Sequence, residues 1–127
     1  MIKDVLNVNN KWRVIIYFNI DYNSLSYLSI ELKKYNVVNN YIKNIILRFK
    51  NKHIKAVTIS NIEEKYSIVC FRRHKSEVDM LNSIIHESEH IKDSIVKYYN
   101  VENDDESNAY TIGFVSSQII KKYLTYS

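Results

Sequence analysis

His86, Glu87 and His90 stand as H-E-x-x-H inside IIHESEHIKD (84–93). On a helix, positions i and i+4 lie about 40° apart. Both imidazoles can therefore converge on one cation at about 2.0–2.1 Å from each nitrogen. Glu87, beside the first histidine, can reach a water on that cation and take its proton. The competing reading is a solvated polar face that carries two histidines, since Asp79, Ser83, Asp93 and Lys97 share that side of the helix.

A catalytic zinc site needs a third protein ligand and an open fourth position. The candidate is Glu106, in DDESNAY (104–110), where a returning helix begins after a short turn. Folding back would bring its first turn near the end of the histidine helix and face Glu106 toward His90. Ala109 and Gly113 recur on or near the Glu106 side, at i+3 and i+7. Gly113 is the only glycine, and in a helix interior glycine is about 1 kcal/mol worse than alanine. Close packing of the last two helices at Gly113 would explain it. Glu106 also reads as a cap partner of Asn103 and as an acid favoured by the helix dipole. Asp105 is the substitute ligand if the register is off by one. Tyr110 is the first candidate to donate to an oxyanion and His74 the second, although a tyrosine near a helix start also reads as packing. Asp93 or Asp105 would orient a ligating histidine through its second ring nitrogen. His53 and His74 lie outside the helical spacing and read as surface residues.

The elements that must position these groups follow from periodicity. WRVIIYFNI (12–20) is β-branched and aromatic and reads as a strand. Residues 21–36 read as a helix with Leu25, Leu28 and Leu32 on one side. Residues 40–52 place Ile42, Ile45, Ile46 and Phe49 at i, i+3, i+4 and i+7, an amphipathic helix. IKAVTIS (54–60) and KYSIVCFR (65–72), joined by the polar NIEE, read as an antiparallel hairpin. Ser76 caps a helix to about Tyr99 in a capping-box pattern, SEVD. Its apolar side carries Leu81, Ile84, Ile85, Ile91 and Ile95. Asn103 or Asp104 caps a last helix ending near Leu124. Strand, two helices, hairpin and two helices make an α+β fold with a small antiparallel or mixed sheet.

H-E-x-x-H on one helix, then E-x-x-A and an aromatic on the next, resembles the gluzincin class of zinc metallopeptidases, above all its minimal zincin members. Residues 54–115 also resemble short HExxH proteins encoded by tailed phages and prophages of gut bacteria. The 16-residue step from His90 to Glu106 is shorter than in the larger gluzincins. The resemblance implies His86, His90 and Glu106 as Zn2+ ligands and Glu87 as the base for peptide hydrolysis. It also implies an edge strand at 65–72 that holds an extended peptide or protein substrate. Its phage side implies a non-catalytic alternative, a virion component of the neck or tail that forms a homo-oligomeric ring.

Composition bounds these readings. A chain of 127 residues is one domain, here 1–127. With 46% hydrophobic and 25% charged residues it has the balance of a globular protein. No segment reaches the length of a membrane span, and MIKDVLNVNN is not a signal peptide. A host cytoplasm or a phage particle is the expected location. The lone Cys70 cannot form an internal disulfide and reads as a small buried apolar residue in a reducing compartment. With no proline and one glycine, asparagine must supply turns that need left-handed backbone. A charge of +4 and eleven tyrosines leave an oligonucleotide-binding module as the third reading, but no recognised nucleic-acid motif accompanies them.

Overall fold

The computed structural model describes residues 1–99 and 107–127 in full, and residues 105 and 106 only as the first positions of a helix. The chain is α+β. Strands β1 (Ile2–Val8), β2 (Trp12–Ile20), β3 (Ala56–Asn61) and β4 (Tyr66–Arg72) form one mixed sheet in the order β1-β2-β4-β3. Helices α1 (Leu25–Lys34) and α2 (Asn39–Lys50) cover one face, and α3 (Glu77–Tyr99) and α4 (Asp105–Tyr126) cover the other. No helix among the described residues is long and apolar enough to cross a membrane.

β2 is the centre of both cores because its alternating side chains are apolar on both sides. Val14, Ile16 and Phe18 meet Met80, Ile84 and Ile91 of α3 and Val115 and Ile119 of α4. Ile15 and Tyr17 meet Leu28 and Leu32 of α1 and Ile42, Ile45 and Phe49 of α2. Asn19 takes φ 57°, the β2–β4 register shifts there, and Ile20 joins the α1–α2 side. Among the described residues, four of the six non-glycine positions at positive φ are asparagines, Asn9, Asn10, Asn19 and Asn36, as expected of a chain short of glycine. Cys70 is fully buried, and that burial pushes its thiol above the ordinary value.

Three sequence expectations are corrected. Residues 2–8, which the sequence pattern leaves without an element, form β1. It pairs antiparallel with β2 through a left-handed turn at Asn9 and Asn10, where the Lys11 N–H donates to the Val8 carbonyl at 3.0 Å. The segment 65–72 is not the edge strand. It is β4, paired in parallel with β2 and antiparallel with β3, and the edge beside it is β3. Gly113 does not pack between helices. It is exposed, and a Cβ there would meet nothing within 4 Å. Val115 and Ile119, not Ala109 and Gly113, carry α4 into the core.

Candidate metal centre

Ser76 opens α3 as expected: the Asp79 N–H donates to its Oγ at 3.1 Å. Met80, Ile84 and Ile91 then fix the rotation of the helix by packing onto the sheet. That rotation turns His86 and His90 toward a groove of about 790 Å³ that runs between α3 and the edge strand β3. Asp79, Ser83 and Asp93 line the same groove, so the polar face read from the sequence is a wall of a concave site. Ile85, placed on the apolar side by its period, is 49% exposed.

The two imidazoles lie edge to face, with ring centroids 4.9 Å apart and planes at 87°. The potential ligand atoms of His86, Glu87 and His90 all fall within 4.8 Å of one another. The histidines are exposed to the groove, whereas Glu87 is 3% exposed. Glu87 points inward beneath β3, where the Thr58 hydroxyl donates to its Oε1 at 3.4 Å. Burial pushes its carboxyl above the ordinary value, and the neighbouring His90 and His86 pull in the other direction without cancelling it. Among the described residues no lysine or arginine pairs with it.

These groups suit a divalent cation. Two imidazole nitrogens are donors that zinc accepts, and the Glu87 carboxylate beside them lies close enough to meet a water on such an ion. Among the described residues the Glu87 carboxylate has only a hydroxyl partner, and a buried carboxylate so placed is costly unless a positive charge approaches it.

The other sequence candidates fare differently. The side chains of Asp105 and Glu106 lie outside the described residues, as do Asn103 and Asp104 altogether. Gly113 is exposed, so no close helix contact at that position orients the start of α4 toward α3. Tyr110 is 74% exposed and does not line the groove. His74 is not a free surface residue. Its Nδ1–H donates to the Arg72 carbonyl at 2.7 Å, which leaves Nε2 to accept from the Ser83 hydroxyl at 2.7 Å. Both ring nitrogens are thus engaged in joining β4 to α3, and burial lowers the pKa of the ring. Asp93 pairs with Lys92 rather than with a histidine.

Sequence reasoning missed Thr58, Ser60, Asn82, Lys55 and Arg48, which also line the groove. The signal for two of them was present. AVTISN alternates, so Ala56, Thr58 and Ser60 share the face turned to α3, and Ser60 is linked to Ser94 at 2.9 Å. Lys55 bonds Asp79 at 3.0 Å and closes the groove at the start of α3. No protein-family model matches this chain, and no curated protein or solved structure gives a significant match.

Proposed function

We propose that the groove is the active site of a zinc-dependent peptidase of the minimal zincin kind, with His86 and His90 holding the ion. The observation that carries this reading is the convergence of His86, Glu87 and His90 within 4.8 Å, at the floor of an open groove beside a free strand edge. Glu106, or Asp105 in its place, completes the ligand set in this proposal. Bound zinc supplies Lewis acidity toward a substrate carbonyl and a water. Glu87 does the proton work: its carboxylate takes a proton from the attacking water and delivers it to the leaving amine nitrogen. Its burial suits that task, because a base whose pKa is raised toward the working pH both accepts and returns a proton readily. Thr58 holds one carboxylate oxygen and leaves the other for this exchange.

The test is zinc content per chain, measured beside cleavage of a peptide library. The wild type should hold one equivalent and cleave, and Glu87→Gln should keep the zinc and lose cleavage. His86→Ala and His90→Ala should lose both. Full activity in Glu87→Gln would overturn the assignment of the base. Bound zinc in a wild type that cleaves nothing would favour the non-catalytic virion component.

A further inference from the structure

We propose that the α2 wall beside β3 selects the extended segment that pairs with this edge, through an apolar pocket at one end and Arg48 at the other. The occupant is a peptide with an apolar and an acidic side chain two positions apart.

The backbone of β3 supports this first. The Arg72 N–H donates to the Lys55 carbonyl at 3.0 Å, and Val57 and Ile59 stand opposite Cys70 and Ile68 in the same register. In an antiparallel ladder, successive residues point their N–H and C=O groups to alternate sides. Lys55, Val57 and Ile59 therefore bond β4, while Ala56, Thr58 and Ser60 direct theirs to the open edge. These three also line the groove.

The two edges of the sheet are treated differently. β1 carries Lys3 and Asp4, and the end of α4 is tied to Asp4 by Lys122 at 3.2 Å and Tyr126 at 2.8 Å. Charges and a covering helix are how sheets prevent pairing at an edge. β3, AVTISN, has no charge and no proline, and among the described residues nothing bonds its outer backbone groups. Such an edge is a template for an extended chain.

The α2 wall then sets the pattern. Arg48, exposed and without an ion-pair partner among the described residues, lines the groove together with Val57. At the other end of the strand, Val37, Val38 and Tyr41 stand with Ile59 around an apolar pocket of about 490 Å³. Val38 is 70% and Tyr41 43% exposed, an apolar surface without a cover. Val57 and Ile59 are two residues apart, about 6.6 Å along a strand. An added strand places its residue opposite Thr58 on the α3 side, over Glu87. The residues on either side of it face α2, one at Arg48 and one at the Tyr41 pocket.

For the fate of the segment this rests on the peptidase reading; for its binding it does not. The test uses the full chain carrying Glu87→Gln and fluorescent peptides of about eight residues, enough for a typical strand. Leu-x-Glu and Glu-x-Leu peptides are compared with Leu-x-Lys and Ser-x-Glu controls. One of the first two should bind best, and which one gives the strand direction. Arg48→Glu should weaken that peptide about tenfold and favour its lysine counterpart, as reversing a charge contact does. Ala56→Pro removes only an outward N–H, tolerable at an edge, and should weaken all peptides alike. Amide exchange should slow at Ala56, Thr58 and Ser60 on binding and stay unchanged at Val57 and Ile59. Binding indifferent to Arg48→Glu and Ala56→Pro would overturn the proposal. So would slowed exchange at Ala56, Thr58 and Ser60 without peptide in a sedimenting dimer, because the edge would then belong to a second copy. Sequence-indifferent cleavage by the wild type would remove this inference and leave the peptidase standing. Patterned binding without cleavage would do the reverse.

Discussion

Glu31 on α1 and Glu87 on α3 are each 3% exposed, on opposite faces of one sheet, and they are solvated in opposite ways. Glu31 meets Lys34 at 2.8 Å, Lys3 at 3.4 Å and the Tyr17 hydroxyl at 3.2 Å. The Lys34 contact leads in holding its carboxyl below the ordinary value, against the opposing effect of burial. Among the described residues Glu87 has one hydroxyl, at 3.4 Å, and burial wins. A carboxylate neutralised by two ammonium groups joins helix to sheet and has nothing left to exchange. One left short of positive charge, with two histidines beside it and a groove above, retains the capacity to hold a proton or attract a cation. The fold can neutralise a buried acid, as Glu31 demonstrates, so the poverty of partners at Glu87 is informative about its role.

The strongest way to break this comparison is to remove each carboxylate from metal-free protein. Glu31→Ala strands the buried Tyr17 hydroxyl, and an unsatisfied buried group costs about 1–3 kcal/mol; its lysines, 62% and 40% exposed, can turn to water. Glu87→Gln keeps shape and a polar end but removes an unneutralised buried charge, so thermal melting in a chelator should move upward. At this chain length a kcal/mol corresponds to roughly 4 °C. If Glu87→Gln lowers the melting temperature as Glu31→Ala does, Glu87 is a structural acid.

The same pair separates with pH. The pKa of Glu31 is lowered on folding, so its contribution is present above the ordinary carboxyl value of 4.5 and is lost as pH falls through the folded value. The pKa of Glu87 is raised on folding. Its penalty is absent below 4.5, sets in as pH rises and is complete above the folded value. Denaturation midpoints of wild type and Glu87→Gln, measured with a chelator across pH 4–8, should therefore meet at the acid end and separate, with the variant more stable, as pH rises (window of about 4 units by the usual carboxyl range). A constant gap would show that the difference does not come from ionisation.

The smallest effect concerns α4, which packs beside α3 and whose described residues line no part of the groove. Gly113 faces open space. Gly113→Ala should stabilise by about 1 kcal/mol through helix propensity alone, and zinc content should not change. A loss of stability would restore the close helix contact that the sequence suggested.

Local order was written in the sequence. β2 begins and ends where its β-branched run does, at Trp12 and Ile20, and α3 begins after the Ser76 cap. Both are short-range facts of propensity and hydrogen bonding. The histidine pair was equally legible, because i, i+4 spacing fixes a shared helix side without reference to any neighbour. Tertiary structure decided everything that depends on a partner. β1 has an incomplete alternation, with Val5 40% exposed, and only pairing with β2 makes it a strand. β3 and β4 are both apolar enough for strands. That β4 is central followed from a run buried on both faces, YSIVCF, which periodicity alone does not separate from a hairpin edge. α4 carries apolar residues around much of its circumference, so its rotation was set by Val115 and Ile119 finding the core. The burial of Glu87 came from the edge strand folding over it, 29 residues away through Thr58, and no local pattern encodes such a contact.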